Sequence, residues 1–223
     1  VELEENKFPV VIFGSGPAGL SLALELEKKN ISCLLIEAGD EYYNDESQSY
    51  FKINTEGTNL KDISNSRLRQ FGGTSAIWGG WCKPLSDLDI KKSGLNAKEI
   101  KKYQSKTCEI LGIKNSFRES LINENFNQIE FQYSDTRFYE KYFSHIKASK
   151  KIFLLLNTQL SHFEGQNKKA EKAICISNGK LFDIKSREFI LCCGGIENSR
   201  ILLWTKFKNK NLLKDNFNIG KYW

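Results

Sequence analysis

The hydrophobic pattern of this chain switches between two periods. Short unbroken apolar runs, Val10-Val11-Ile12-Phe13, Ile152-Phe153-Leu154-Leu155-Leu156 and Phe189-Ile190-Leu191-Cys192-Cys193, predict strands buried on both faces, and residues 31–36 form another that ends in Leu34-Leu35-Ile36. Between the first run and residues 31–36, Leu20, Leu22, Ala23, Leu24 and Leu26 cover a broad helix face over residues 18–29. Glu25, Glu27, Lys28 and Lys29 gather at the end of that helix and Asn30 breaks it. Asn96 followed by Glu99 reads as a cap and its capping acid, after which Ile100, Tyr103, Thr107, Ile110 and Leu111 recur at helical spacing until Gly112. Phe138, Tyr139, Tyr142, Phe143 and Ile146 mark one more amphipathic helix. Residues 173–177 and 180–184 flank Asn178-Gly179, a strong hairpin signal, and residues 157–163 continue the Ile152 run in extended form. Residues 40–66 are expected to be a long loop with short pieces of structure, and residues 115–135 are irregular and polar.

The first strand runs into Gly14-Ser15-Gly16-Pro17-Ala18-Gly19. Gly14 suits the tight turn, Gly16 lets backbone approach a pyrophosphate, and Gly19 lets the helix pack on the strand. Phosphates then sit on a helix N-terminus, where free N–H groups and the dipole favour an anion. Glu37 follows about twenty residues later, placed to accept both hydroxyls of an adenosine ribose and to repel a 2′-phosphate. FAD or NAD is therefore expected rather than NADP. Such glycines also serve ordinary strand-to-helix turns, but strand, turn, helix, strand and acid occur here in the order that a dinucleotide site requires.

A second glycine-rich stretch extends from Arg67 to Leu85. Within it Arg69, Gly72, Gly73, Thr74, Ser75, Trp78, Gly79 and Gly80 are the candidate cofactor contacts, because such backbone lies flat against a ligand and offers N–H and hydroxyl donors. A third candidate is the strand ending in Cys193-Gly194-Gly195 with Asn198 just beyond, which repeats a strand end beneath a helix start.

Composition narrows the partners. The chain of 223 residues carries a net charge of +6 from scattered lysines, with no stripe that alternates basic and stacking aromatic residues, so nucleic-acid binding is not expected. No apolar run is long enough to span a membrane. The six cysteines include no C-x-x-C pair, only two histidines are present to help, and no metal site is expected. Cysteines set in apolar strands fit a reducing compartment, and the cytoplasm is the expected location. The chain begins at Val1 and holds no methionine, so the lack of a leader carries no information.

Taken together, the Gly14 turn, Glu37-Ala38-Gly39 and Gly72-Gly73-Thr74-Ser75 resemble the glucose-methanol-choline family of FAD-dependent oxidoreductases. In that family the glycine pair with its hydroxyl residues lies over FAD. The position of Trp78 is usually Asn or His, and tryptophan resembles the pyranose-oxidase and sugar-dehydrogenase branch. Some members attach the flavin through a histidine where this chain has Ile77, so the resemblance implies non-covalent FAD. It also implies that the backbone around Leu160 contacts the adenine, and that Cys192-Cys193-Gly194 belongs to the second family signature. Residues 218–223 resemble the crossing towards a substrate domain, and the chain corresponds to the N-terminal FAD-binding part of a longer member.

The expected fold is therefore α/β, a Rossmann-like FAD-binding domain with a central parallel sheet, an added β-hairpin or meander and a small helical insertion. Residues 1–92 and 151–223 form its two segments and residues 93–150 the insertion. The implied activity is hydride transfer from the CH–OH group of an alcohol or sugar to flavin. His145, which lacks a neighbouring acid in the sequence, and His162 match no family catalytic motif, so no catalytic base is assigned, and no residue names an electron acceptor. Two alternatives stand beside this reading: a non-catalytic FAD-binding module completed by a partner, and a two-dinucleotide flavoprotein reductase, for which a second full G-x-G-x-x-G is missing.

Overall fold

Four short strands and the helices between them lay out the frame. In chain order the elements are β1 (Val10–Phe13), α1 (Pro17–Lys28), β2 (Cys33–Ile36), α2 (Asp45–Ser49), β3 (Trp81–Cys82), α3 (Asp87–Ser93), α4 (Ala97–Lys102), α5 (Gln104–Leu111), β4 (Glu119–Asn123), β5 (Phe126–Ile129), β6 (Gln132–Tyr133), α6 (Phe138–Ala148), β7 (Ile152–Leu155), β8 (Thr158–Gln166), β9 (Lys169–Ser177), β10 (Lys180–Lys185), β11 (Glu188–Leu191) and α7 (Gly195–Lys208). The structure is a computed structural model that describes residues 8–57 and 63–221. Part of the 40–66 loop and the end of the 218–223 segment lie outside the described residues.

One unit comprises the described residues up to Ile77 and from Arg137 onward. Its centre is the parallel sheet β11-β1-β2-β7, in register Phe13 to Leu191 on one side and Phe13 to Ile36 on the other. The central strands β1 and β2 are buried on both faces, as unbroken apolar runs require, whereas the edge strands β7 and β11 are only partly buried, with Phe153 and Glu188 exposed. On one face Val11, Phe13, Leu34 and Ile36 meet Leu160, Phe163, Ala173, Cys175 and Ile184 of the antiparallel sheet β10-β9-β8, and Ile201 of α7 joins them. The other face is covered by α1, where Leu20 and Ala23 are fully buried, and by α6 on β7. This is the expected α/β architecture with its central parallel sheet and added meander.

A second unit, Trp78–Thr136, holds α3 to α5 and the two small pairs β3-β6 and β4-β5. It differs from the expected 93–150 insertion at both edges. Helix α6 belongs to the first unit because Phe138 and Ile146 are buried there, Ile146 at 1% exposure, and the helix packs on β7. The helix expected from Asn96 to Gly112 is two, α4 and α5, broken at Tyr103. The Asn96 side chain does cap it, accepting from the N–H groups of Lys98 and Glu99, but Glu99 turns to Lys102 instead of back to the cap. The β4-β5 hairpin lies in the stretch read as irregular, and all of its residues are exposed, so no alternation announces it.

Asn178 and Gly179 take φ of 49° and 72°, as the hairpin signal requires. The turn from β8 to β9 uses the same left-handed pair at Asn167 and Lys168, with φ of 51° and 63°. Lysine is strained there, so Lys168→Gly should raise Tm by about 2 °C in a thermal melt. An unchanged or lower Tm would show that the exposed Lys168–Asp215 pair matters more than the backbone.

Candidate functional site

At the carboxyl ends of β1, β2 and β11 a cavity of about 830 Å³ opens within the first unit. Strand β1 leads into α1 on one face of the sheet and β11 leads into α7 on the other. Ligands of open α/β sheets bind at such a switch point. The volume is within the usual range for a small-molecule site.

The first glycines divide by cause. Gly14 has φ +98°, and a Cβ there would lie 2.5 Å from the Cys192 carbonyl oxygen, where the end of β1 meets the end of β11. A Cβ on Gly19 would lie 1.9 Å from the Gly14 carbonyl oxygen, so α1 crosses β1 with no room for a side chain. Gly16 is different. Its φ of −66° suits any residue and a Cβ there would meet nothing within 4 Å. Gly16 caps α1 without any side-chain cap, Pro17 follows it, and Gly16, Pro17 and Ala18 all line the cavity. The positive end of α1 therefore faces open space.

Glu37 directly follows β2 and is 6% exposed. Its Oε2 accepts the Ser15 N–H at 3.0 Å and the Ser15 hydroxyl at 2.7 Å, and its Oε1 accepts the Gly39 N–H at 2.9 Å. The carboxylate lines the cavity, yet much of its accepting capacity is already used inside the protein. Oε1 keeps room for one further donor, where the sequence led us to expect two ribose hydroxyls.

The glycine-rich stretch separates into a lining and a support. Gly73 and Thr74 line the cavity, as does Arg69, whose guanidinium donates to the Ser47 hydroxyl at 2.6 Å and to Gln159 Oε1 at 2.9 Å. Burial pushes the Arg69 pKa down, against the opposing pull of Glu37. Ser75 is taken inward: its hydroxyl donates to the Gly72 carbonyl at 2.7 Å and accepts the Phe138 N–H. Gly72 donates to the Ser15 carbonyl, and Gly39 is pressed so close to Arg69 that a Cβ would lie 2.0 Å from its carbonyl oxygen. Ser15, Gly19, Gly39, Gly72 and Ser75 thus stand behind the lining and are absent from it. Trp78, Gly79 and Gly80 belong to the second unit, where the Trp78 indole N–H donates to the Thr136 carbonyl at 3.1 Å.

Leu160, Cys193, Gly194 and Asn198 all line the cavity, beside Phe13 and Ile36. The Asn198 side-chain oxygen accepts the Cys193 N–H at 2.9 Å and so fixes the turn from β11 into α7. Burial pushes the Cys193 thiol up to about 12 and that of Cys175 to about 12 as well, so neither is a thiolate at neutral pH.

Residues 7–52 match the family model of an FAD binding domain. That span covers β1, α1, β2 and Glu37. No curated protein matches the chain. Among solved structures it is similar to pyridoxine 4-oxidase from Mesorbium loti, with a TM-score of 0.55 and 13% identity over 88% of this chain and 51% of that one. It is also similar to an FAD-dependent oxidoreductase from Chaetomium thermophilum at a TM-score of 0.48 and 15% identity, over 88% of this chain and 47% of the other. The chain spans about half the length of the solved structures it matches. At this identity the likeness establishes the fold, and the matched family model agrees with FAD as the cofactor.

The residues present fit such a group. Open Cβ positions at Gly16 and Gly194 leave a cradle along two helix starts, and the buried Arg67 Nε has no acceptor among the described residues. Arg67, Glu197 and Arg200 also line the cavity and were not singled out by sequence. The bond from Arg67 to Glu197 joins positions 130 residues apart, which no local pattern reveals.

Neither histidine lies in the lining. His145 has an acid neighbour after all: its Nε2 is 2.6 Å from Glu27 Oε2, and Ser149 bonds the other carboxylate oxygen. Burial tends to raise the Glu27 pKa, but these hydrogen bonds outweigh it and the net shift is downward. The acid comes from α1, so spacing around His145 could not show it. His162 is 3.5 Å from Glu164, which also pairs with Lys172. Among the described residues no three metal-ligating side chains cluster, and no helix is long and apolar enough to cross a membrane.

Proposed function

We propose that this chain is the FAD-binding part of an oxidoreductase of the glucose-methanol-choline type that oxidises a CH–OH group of an alcohol or sugar. The observation that carries the reading is Gly16: among the three motif glycines it alone is free of packing and of positive φ, and it fronts the cavity at an uncapped helix start. Nothing in the fold demands glycine there, whereas a phosphate approaching the α1 backbone does. The match of residues 7–52 supports FAD in particular.

In this reading the start of α1 and the Gly73-Thr74 backbone hold the diphosphate, Glu37 accepts from the ribose, and Leu160 with the Cys193-Gly194 turn borders the adenine. When bound, FAD supplies the hydride-accepting ring, and the protein supplies position and electrostatics. Ile77 carries no nucleophile, which supports non-covalent attachment. Alcohol oxidation also needs a base near neutral pH, and no lining residue is a histidine. The base is therefore assigned to a part of the enzyme other than this cavity. The same observation favours a second reading, a flavin-carrying module completed by a partner, and reading the coding sequence beyond Trp223 separates the two.

The purified chain should take up FAD and release it to the filtrate after denaturation in urea. Gly16→Val should weaken FAD binding by more than about tenfold, the loss of a charge-assisted hydrogen bond or two, while the melting curve stays close to the parent. Flavin retained on the denatured chain would refute non-covalent attachment. Equal affinity in Gly16→Val would remove the main support for the site.

A further inference from the structure

Part of the cavity wall, distant in sequence from the Gly16 turn, carries charge that the dinucleotide motif does not explain. Arg67 and Glu197 pair at 3.0 Å with side chains only 14% and 13% exposed. Arg67 Nη2 donates to the Phe51 carbonyl at 3.1 Å, and the guanidinium lies 4.2 Å over the Phe51 ring. The other carboxylate oxygen of Glu197 accepts from Arg200 Nε at 2.7 Å. One carboxylate is thus shared between two guanidinium groups, which leaves this part of the lining with a net positive charge. The Arg67 Nε–H is buried and has no acceptor among the described residues. A buried donor on a permanently charged group is costly to leave unmet, and Arg67 borders the cavity itself.

Resting on the FAD reading, we propose that Arg67 is a positioning residue for the diphosphate of the bound dinucleotide, its free Nε–H donating to a phosphate oxygen, with Glu197 holding the guanidinium in place and attenuating its charge. The lining carries three arginines, Arg67, Arg69 and Arg200, and two glutamates, Glu37 and Glu197, an imbalance that suits an anion. Arg69 is the less suitable partner, since its two terminal nitrogens are engaged by Ser47 and Gln159. Arg67 is fixed by a carboxylate, a carbonyl and an aromatic face, which preorganises its remaining donor.

The test compares ligands with and without the diphosphate on the whole chain. FAD, ADP and adenosine are titrated into the parent, Arg67→Lys, Arg67→Ala and Glu197→Gln, and the ligand-free melting curve of each variant is recorded. Arg67→Lys keeps the charge but lacks the planar donor, and should weaken FAD and ADP by about 10-fold or more while leaving adenosine within about twofold. Glu197→Gln should bind ADP at least as tightly as the parent, because attenuation is removed while the arginines stay. A wall that served only to latch two loops together would lose adenosine and ADP equally, and Glu197→Gln would weaken both; that pattern overturns the proposal. If Arg67→Ala fails to fold, Arg67→Lys and Glu197→Gln still decide. FAD binding by the parent with unchanged ADP affinity in Arg67→Lys defeats the role of Arg67 alone, whereas no FAD binding by the parent defeats the underlying reading as well.

Discussion

Gly19→Ala is expected to remove about 4 kcal/mol of stability, more than core overpacking ordinarily costs. The added Cβ would lie 1.9 Å from the Gly14 carbonyl oxygen, 3.1 Å from its carbon and 3.4 Å from the Cys192 Cβ. The first two are backbone atoms at the tightest turn of the sheet, so no rotamer change relieves them. Helix α1 would have to move off β1 by more than an ångström, separating Leu20 and Ala23, both at 0% exposure, from the strands they cover. Such a shift also pulls Ser15 from Glu37. Gly16→Ala, three positions earlier, should change stability by less than ~1 kcal/mol, the scale of an N-cap exchange. Urea denaturation followed by circular dichroism measures both. Equal stabilities for Gly19→Ala and the parent would show that the helix does not need this close crossing.

That contrast also shows how much of the fold was legible beforehand. The run of Val10 to Phe13, the helical stripe and the Leu34-Leu35-Ile36 run lie within a single local unit, and their periods are enough to define it. The placement of β11 beside β1 is not local: Phe13 pairs with Leu191, and no period in either segment records the partner. Where a strand has no buried face, as in β4 and β5, alternation has nothing to encode. The β8-β9 turn was missed for a chemical reason, because Asn167-Lys168 adopts the conformation for which Asn-Gly is the usual signal.

The site divides in the same way. Strand ends and glycine turns were readable because their chemistry is carried by backbone and short motifs. Hydroxyl residues were not, since the sequence cannot say which way a small side chain turns. Thr74 lines the cavity, whereas Ser75 next to it spends its hydroxyl on Gly72 and Phe138. Charged wall residues were the least readable, because Arg67 becomes informative only when Glu197 and Phe51 have closed around it.

Glu37→Ala should lower stability by about 2–4 kcal/mol before any flavin is added, since it leaves three inward donors without their acceptor. Those donors are the Ser15 N–H, the Ser15 hydroxyl and the Gly39 N–H, all bonded within 3.0 Å of a carboxylate oxygen. The loss is smaller than for Gly19→Ala because the emptied space borders the cavity, where water can replace part of what is lost. Glu37→Gln tests the chemistry more finely. Its amide oxygen can serve Ser15 or Gly39, but its NH₂ then faces a donor on the other side, so about half of the loss should remain. His145→Ala is the control: its Glu27 contact involves a side chain 55% exposed, and its removal should cost less than ~1 kcal/mol. FAD affinity, measured where each variant is still folded, should fall in both Glu37 variants and stay unchanged in His145→Ala. Should Glu37→Ala melt with the parent and bind FAD equally, the carboxylate would be neither the brace of the Gly14 turn nor an acceptor for the ribose.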